Sequence, residues 1–368
     1  MSVYIHQLRD WPKFKWDHQT LSLLLAEVRY KQGRLVGRME GLGFHLQAEA
    51  TLQTLTLDVL KSSEIEGEIL NSDQVRSSIA RRLGMDIAGL VPSDRYVEGV
   101  VEMMLDATRN YALPLSDERL FGWQAALFPT ARSGMQKIVV GAWRNNRADP
   151  MQVVSGPIGR ETVHYQAPGA ELLGDEMKAF LKWFNTSLEI EAVIKAGISH
   201  LWFVTIHPFD DGNGRIARAI TDMQLARADN SNQRFYSLSA QIRKERNEYY
   251  DILESTQKGT LDVTEWLTWF LKCLDRSIMA TDETLAVVMK KARFWERHSL
   301  ALNERQRMMI NKLLDGFEGK LKSSKWAKIA KCSSDTALRD ITDLVERGVL
   351  LKDETEGKGK NTSYVLVE

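Results

Sequence analysis

Residues 207–218, HPFDDGNGRIAR, form the densest group of chemically useful side chains in the chain. A helix should end at His207, because the residue before a proline is pushed out of the helical region. A loop with two carboxylates follows, and then Gly-Asn-Gly opens a new helix. Backbone N–H groups of a glycine-rich loop and of a helix N-terminus together form an anion site. The segment therefore predicts a phosphate-binding loop.

Several side chains of this loop could act on a bound phosphate ester. His207 titrates near neutrality, with an ordinary pKa of about 6.5, which suits a base. Arg215 and Arg218 lie three residues apart on one helical face and can reach the same anion. Asp211 adjoins the loop, and magnesium usually takes one or two carboxylates plus phosphate oxygens and water. The pattern indicates chemistry on a nucleotide, with Asp211 as the Mg²⁺ ligand.

Two other nucleotide-binding motifs do not account for this segment. Residues 212–217, GNGRIA, match the dinucleotide fingerprint G-x-G-x-x-A, but a helical segment stands before them where the fingerprint needs a strand. The chain contains no G-x-x-x-x-G-K-[ST] sequence, which excludes a P-loop ATPase.

Composition limits the class of protein. The 368 residues are too many for one compact core and suit two or three domains. Basic and acidic residues number 49 each, so no overall field favours nucleic acid or a membrane surface. The two cysteines, Cys273 and Cys332, are far apart and outside any metal-binding pattern. Without a signal peptide or a long apolar run, the sequence predicts a cytoplasmic protein with no membrane partner.

Helical periodicity predicts an all-α fold in three parts: an N-terminal helical domain (1–95), a catalytic core (96–298) and a C-terminal domain (299–368). A β-hairpin is expected in the Gly- and Pro-rich segment 141–168. The predicted helices of the first two parts are 21–70 with a break near Gly37, Gly41 and Gly43, 74–83, one beginning near Asp117, 172–188, 191–206, 215–227, 243–257 and 264–295.

The C-terminal domain has the order of a winged helix-turn-helix: helices 304–314, 323–330 and 334–347, then strands 349–352 and 363–367. Arg339, Arg347, Lys358 and Lys360 could contact DNA phosphates. However, 13 basic against 11 acidic residues from Asn303 onward leave a net charge of only +2. A solvated face or a protein-docking surface is an equal alternative to DNA binding.

The loop segment resembles the Fic family signature H-P-F-x-[D/E]-G-N-G-R-x-x-R, with every fixed position present. The resemblance covers roughly residues 117–274, and residues 11–17, WPKFKWD, are similar to the start of an uncharacterised domain often fused to Fic cores. Membership implies a helical core with a β-hairpin flap. It also implies transfer of AMP from ATP to a Ser, Thr or Tyr hydroxyl of a protein, with release of pyrophosphate.

The resemblance also implies roles for individual residues. His207 would take the proton of the target hydroxyl, and Asp211 would hold Mg²⁺ against the nucleotide phosphates. The phosphates would be cradled by Gly212, Asn213, Gly214, Arg215 and Arg218. Tyr249 and Gln257 would form the wall beside the nucleoside, and many relatives have Asn in place of Gln257. The flap that docks the target strand would present Val163, His164 and Tyr165.

Residues 62–67, SSEIEG, resemble the inhibitory motif [S/T]-x-x-x-E-[G/N] of the same family, with Ser62, Glu66 and Gly67 at its fixed positions. On a helix Ser62 and Glu66 share a face. A pair between Glu66 and Arg218 would deny the arginine to the γ-phosphate and leave the α-phosphate misaligned for attack. The sequence therefore predicts an autoinhibited enzyme.

Other functions stay open at this point. Relatives with this fold remove AMP, with the inhibitory glutamate orienting a water, or transfer UMP or phosphocholine. A deAMPylase or a bifunctional enzyme is therefore one alternative, and a nucleotide-sensing, DNA-binding regulator is another. The protein target is not named by the sequence; self-modification and an oligomeric assembly are both left open.

Overall fold

The computed structural model describes residues 3–85, 87, 89–145, 150–157, 160–186, 189–298, 302–314, 317, 319–353 and 362–367. In this part of the chain the regular structure is fifteen α-helices, two short 3-10 turns and three two-stranded antiparallel sheets. None of the described helices is both long and apolar enough to cross a lipid bilayer. The expected mainly helical fold is confirmed.

Three helices form the N-terminal part: α1 (His18–Glu40), α2 (Phe44–Ile65) and α3 (Ser72–Arg82). The predicted break near the glycines is confirmed, since α1 ends just before Gly41 and α2 begins just after Gly43. Asn71 caps α3 by accepting a 3.1 Å hydrogen bond from the N–H of Gln74. Such a cap satisfies a donor that the first turn of a helix would otherwise leave free.

Residues 95–109 are helical, although none of the helices predicted from periodicity covers them, so this prediction is wrong. The structure has helix α4 (Arg95–Arg109) there, followed by α5 (Asp117–Leu127). Asp94 caps α4 through a 2.9 Å bond from the N–H of Val97. Buried apolar residues repeat along α4 on the face that packs against the core. The missed helix matters because Tyr96, in its first turn, contacts Arg215 of the predicted phosphate-binding loop.

Close packing of α4 against α5 depends on Gly99. A Cβ atom there would lie 1.9 Å from the backbone oxygen of Ala126, so the two helices would have to move apart. We expect Gly99→Ala to lower the free energy of unfolding by about 2 kcal/mol. Gly37→Ala, in the last turn of α1 with no atom within 4 Å of the new Cβ, should raise it by about 0.5–1 kcal/mol. Urea denaturation measures both; similar changes would contradict the packing argument.

The next elements are short strands and then the helices of the core. Strands β1 (Arg132–Ser133) and β2 (Gln136–Lys137) pair with each other, as do β3 (Gln152–Ser155) and β4 (Thr162–Gln166), which form the predicted hairpin. The core helices are α6 (Leu173–Asn185), α7 (Ala192–Ile206), α8 (Asn213–Asp229), α9 (Leu238–Lys244), α10 (Arg246–Gln257), α11 (Thr264–Met279) and α12 (Thr281–His298).

Helices α7 and α8 lie at the centre of the molecule. Every residue of α7 from Val193 to Ile206 is buried. Two predicted helices are each divided in the structure: the one at 243–257 breaks at Glu245, and the one at 264–295 breaks at Ala280. Buried apolar residues of the N-terminal helices and of the core form one continuous cluster that extends into α12. Helices α7 and α8 therefore pack against apolar residues of both the N-terminal helices and the other core helices.

The C-terminal part contains α13 (Glu304–Leu314), α14 (Ser323–Ile329), α15 (Ser334–Glu346), β5 (Leu350–Lys352) and β6 (Tyr364–Leu366), in the predicted order. Its buried apolar residues form a separate cluster that includes Trp326. Arg339 is exposed, and Arg347 pairs with Asp343 at 2.8 Å. Lys358 and Lys360 lie outside the described residues, so contact with DNA through this part stays a prediction.

Candidate active site

The candidate site is the loop that joins α7 to α8. His207 ends α7 with a left-handed backbone, φ +50°, and its N–H donates to the oxygen of Phe203. Gly212 begins α8, also left-handed at φ +91°. The predicted helix–loop–helix is therefore confirmed. The donors at the start of α8 face the loop, as an anion site needs.

Internal bonds fix the shape of this loop. Phe209 is fully buried, in contact with the rings of Trp143, Phe121 and Phe203, and it anchors the loop in the core. The Asn213 side chain accepts a hydrogen bond from the N–H of Phe209 at 3.0 Å and donates to its carbonyl at 2.8 Å. Both polar atoms of Asn213 thus hold the loop together, which leaves its backbone for contact with an anion.

A buried arginine that the sequence analysis does not identify holds the other end of the loop. Arg144 donates through Nε to the carbonyl of His207 at 2.8 Å, and its backbone N–H donates to Pro208 at 2.9 Å. Its Nη2 donates to the carbonyl of Pro168 at 2.6 Å, which ties the loop to the residues after the hairpin. No local sequence signal marks Arg144, because it lies 63 residues from its partner.

The tautomer of His207 follows from its contacts. Nδ1 lies 3.2 Å from the carbonyl of Val204, and a carbonyl only accepts, so Nδ1 carries the proton and Nε2 keeps its lone pair. Burial, together with the nearby positive charge of Arg144, lowers the pKa of His207 from 6.5 to about 4. The imidazole is therefore neutral at physiological pH and ready to accept a proton.

A cleft of 530 Å³ opens over this loop, within the range that ligand sites occupy. His207, Asp210, Asp211 and Gly214 line its floor, and parts of the hairpin and of α10 line its sides. Asp210 accepts a 2.8 Å bond from the N–H of Val139. Asp211 accepts from Ser133 and, at 2.6 Å, from the N–H of Gly212. Ser133 is a further cleft-side partner that sequence reasoning missed.

The acidic side chains around the cleft decide whether it can hold a metal ion. Among the described residues no group of three or more His, Cys, Asp or Glu side chains could hold a metal ion. Asp211 alone among the cleft carboxylates would nevertheless be enough for magnesium, because this ion keeps several waters and takes phosphate oxygens as ligands. Asp211 would then have to exchange its contact with Ser133 for the ion.

The predicted contact between Glu66 and Arg218 is present. Arg218, 1% exposed, donates through Nη2 to Glu66 Oε1 at 2.8 Å and to the Ser62 carbonyl at 2.8 Å. Its Nε donates to Ser62 Oγ at 2.9 Å. Nη1 has no hydrogen-bond partner in the described part of the chain. Ser62 and Glu66, two of the three fixed residues of the predicted motif, thus contact the arginine, and one of its buried donors is left unused.

Gly214 explains how the carboxylate comes so close. A Cβ atom on Gly214 would lie 2.2 Å from Glu66 Oε1 and 3.3 Å from Arg218 Nη1. Any larger residue would therefore displace Glu66 from the arginine. A glycine at this position therefore makes room for the contact between Glu66 and Arg218.

Arg215 is engaged by partners that the sequence analysis did not predict. Its Nη1 donates to Glu68 Oε2 at 2.6 Å and to the hydroxyl of Tyr96. Tyr96 belongs to the first turn of α4, the helix missing from the predicted elements. Glu68 lies two residues beyond Glu66, just outside the motif.

The predicted flap residues have different environments. Val163 is exposed, opposite exposed Val154 on the paired strand. His164 Nδ1 lies 2.5 Å from Glu254 Oε2, which ties the hairpin to α10. Tyr165 is buried, and its hydroxyl donates to the carbonyl of Thr205 at 2.6 Å. It therefore anchors the hairpin, and Val163 and His164 are the accessible members of the three.

The two predicted nucleoside-wall residues line the cleft but are both buried. The hydroxyl of Tyr249 lies 2.8 Å from His200 Nε2 beneath the site. Gln257 donates to Thr205 Oγ1 at 3.3 Å. Tyr250 also lines the cleft and is 37% exposed, which makes it the more accessible tyrosine for a stacked ring.

Known proteins resemble this chain in sequence. Residues 4–85 match the model of a domain of unknown function (DUF4172). The protein adenylyltransferase Fic of Drosophila yakuba is 25% identical over 231 residues, covering 60% of this chain and 40% of that protein. The one from Nematostella vectensis is 34% identical over 115 residues, 31% of this chain and 25% of that protein. The chain thus spans at most about two fifths of these relatives' length.

Solved structures share the fold. A Fic family protein from Desulfovibrio desulfuricans superposes with a TM-score of 0.52 at 18% identity, over 95% of this chain and 96% of that one. A Fic domain containing signaling protein from Bacteroides thetaiotaomicron gives 0.50 at 18% identity, over 73% and 97%. Residues 114–225, which carry the complete loop motif, match the model of the Fic/DOC family. Within this chain, residues 114–225 are therefore the part that is similar to the Fic/DOC family.

Proposed function

We propose that this protein is a protein adenylyltransferase that moves AMP from ATP to a hydroxyl of a protein, held in check by Glu66. One observation carries the proposal: a neutral histidine with a free Nε2 lone pair lines one cleft with the phosphate loop, and the helix that follows the loop carries two buried arginines. Relatives named protein adenylyltransferase support the reaction class. The buried unpartnered donors, Arg218 Nη1 and Arg215 Nε among the described residues, suit phosphate oxygens.

The proposed reaction is a single displacement at the α-phosphorus of ATP. The target hydroxyl oxygen forms a bond to this phosphorus, the bond to the β-phosphate oxygen breaks, and pyrophosphate leaves. The hydroxyl proton passes to Nε2 of His207. Arg215 and Arg218 would hold the β- and γ-phosphates, and the N–H groups at the start of α8 would orient the chain of phosphates. Positioning and charge neutralisation supply most of the acceleration in such chemistry.

Asp211 is the residue that would hold Mg²⁺, which when bound would offset negative charge on the α- and β-phosphates. The target would enter beside the hairpin, where exposed Val154 and Val163 offer a surface for an added strand. Another protein and a second copy of this chain both fit as the target, and modification of either adds the same adenylyl group.

The pH profile of the reaction tests the role of His207. Because its pKa is lowered to about 4, the imidazole keeps its lone pair through the whole range above about pH 5. Transfer should stay nearly constant from pH 8 to about pH 5 and fall as the pH drops through about 4. Initial rates at saturating nucleotide, with circular dichroism to verify folding, measure this profile. A midpoint near 6.5 would indicate a solvated histidine instead.

Mass spectrometry of the purified protein after incubation with Mg·ATP tests the proposal directly. We expect a mass increase of one adenylyl group on a Ser, Thr or Tyr side chain, and none with AMP in place of ATP. A parallel incubation with UTP and CDP-choline distinguishes UMP and phosphocholine transfer. Absence of any modification by the wild type and by a Glu66→Gly variant that binds ATP would contradict the proposed reaction.

A further inference from the structure

Arg215, like Arg218, is held by a carboxylate. Arg215 is 1% exposed, and its Nη1 donates to Glu68 Oε2 at 2.6 Å. The hydroxyl of Tyr96 bonds to both Glu68 and Arg215, which closes a three-member group. This group lies beside the contact between Glu66 and Arg218, because both carboxylates lie at the end of α2 and both arginines lie on α8.

The end of α2 explains why two carboxylates reach two arginines. Gly67 is left-handed at φ +86° and follows the last turn of the helix. The N–H of Glu68 donates to the Ser63 carbonyl at 3.0 Å, and that of Gly67 donates to the Glu64 carbonyl at 3.1 Å. These two bonds form a Schellman motif, which reverses the chain within two residues. The motif directs Glu66 to Arg218 and Glu68 to Arg215.

We propose that Glu68, together with Tyr96, is a second inhibitory lock that withholds Arg215 from the β-phosphate, as Glu66 withholds Arg218 from the γ-phosphate. This inference rests on the proposed use of ATP in the cleft. The inference also explains the glycine of the inhibitory motif. The left-handed backbone of Gly67 turns the chain so that the carboxylates of Glu66 and Glu68 both reach arginines of α8.

Three properties of the group favour a lock over a fixed structural ion pair. The Glu68 side chain is 38% exposed, so it can leave towards solvent while buried Arg215 stays in place. Arg215 Nε is buried without a hydrogen-bond partner among the described residues, so the arginine is not saturated by its present contacts. Burial raises the pKa of Glu68 more than the Arg215 charge lowers it, and the negative charges of Asp211 and Glu66 also raise it, so the carboxylate is not held in its charged form as firmly as in an ordinary ion pair.

Charge also makes Glu68 and a polyphosphate mutually exclusive. Glu66, Glu68 and Asp211 already place three carboxylates around two arginines. A β-phosphate at Arg215 would bring further negative charge against Glu68 in a partly buried site, where repulsion is strong. Nucleotide binding with all phosphates engaged therefore requires that Glu68 leaves. Since Glu66 and Glu68 share one turn, we expect the two locks to open together.

Calorimetric titration of the full chain with Mg·ADP, Mg·ATP and AMP tests the second lock. Glu68→Gln keeps the shape of the side chain and removes its charge. It should bind ADP about tenfold more tightly than the wild type, a typical coupling between competing contacts. AMP affinity should not change, because AMP has no β-phosphate. Glu66→Gln should improve ATP binding more than ADP binding.

Glu64→Gln is the matched control. Glu64 lies in the same helix end but pairs with Lys61 at 2.7 Å, away from the two arginines. This variant should bind all three nucleotides like the wild type. Tyr96→Phe should raise ADP affinity, as Glu68→Gln should. If the Glu68→Gln variant has a lowered melting temperature, Tyr96→Phe is the variant to use.

Two results would overturn the second lock. ADP affinity that is unchanged or weaker in both Glu68→Gln and Tyr96→Phe would show that the group only positions Arg215. An equal gain for AMP and ADP would show that the effect is general loosening of the cleft. If neither the wild type nor any variant binds a nucleotide, the proposed use of ATP itself fails, a result distinct from the first two.

Discussion

Glu66→Gly is expected to raise AMP transfer by roughly one to two orders of magnitude. The variant frees Arg218 Nη2 for the γ-phosphate and removes a carboxylate oxygen that lies 2.2 Å from where a Cβ of Gly214 would be. Both effects let the triphosphate settle with its α-phosphorus aligned for attack. Incorporation of labelled AMP into the protein itself, or into a candidate target, measures the change.

The controls for this variant are internal to the chain. Glu64→Gly changes the same helix end without touching the arginine and should leave the rate near that of the wild type. Glu66→Gly combined with His207→Ala should be silent, because release of the arginine cannot replace the base. An unchanged rate in folded, ATP-binding Glu66→Gly would mean that the contact does not inhibit.

The stability of Glu66→Gly should fall modestly. Arg218 is buried and loses one of its hydrogen bonds, which for a charged group contributes about 1.5–3 kcal/mol. The exposed side of Glu66 and the two remaining bonds to Ser62 place the expected loss at the lower end. Mg·ATP should restore the melting temperature more in this variant than in the wild type, since tighter binding gives larger stabilisation.

A different outcome would change the direction of the reaction. Glu66 lies in the same cleft as His207, where a carboxylate could orient a water towards a modified hydroxyl. If Glu66→Gly gains transfer but loses removal of AMP from a modified target, Glu66 is part of a deAMPylase site and the enzyme is bifunctional. Assaying both directions with the same preparation separates the two cases.

Features formed by residues close together in the sequence were predicted, whereas contacts between residues far apart in the sequence were mostly missed. The phosphate loop is local: twelve consecutive residues define its turn, its donors and its base, so the prediction needs no tertiary information. The contact between Glu66 and Arg218 spans 152 residues and was predicted only through a family resemblance. Arg144, Ser133 and Glu68 have no such resemblance and no local pattern. Their partners become visible only when the helices are packed.

Helix α4 is a different kind of omission. Its apolar spacing and its cap at Asp94 are ordinary signals, and a closer count of periodicity would have found it. With α4 in place, Tyr96 would still not have been assigned to Arg215, because nothing in its neighbourhood indicates that contact. Tyr165 shows the opposite difficulty. Alternation in the hairpin predicts one exposed face, but burial under Tyr4 and beside His6 decides which face carries Tyr165.

Replacing His207 should abolish AMP transfer while ATP affinity stays nearly unchanged, because Nε2 serves the incoming hydroxyl and not the nucleotide. A loss of at least about 100-fold is expected for removal of a general base. The left-handed backbone at His207, φ +50°, makes the choice of variant important. Alanine is strained in this region, whereas asparagine tolerates it, so His207→Asn removes the base and preserves the turn.

His207→Asn and His207→Ala should therefore be equally inactive but differ in stability, with the alanine variant lower by about 1 kcal/mol. Equal inactivity with unequal melting temperatures would assign the loss to chemistry, since the loop shape is kept in only one of them. His18→Ala, at an exposed histidine that begins α1, serves as the control. Transfer by folded His207→Asn at the rate of the wild type would remove His207 from the mechanism. In that case another group lining the cleft, such as Asp211, would have to accept the proton.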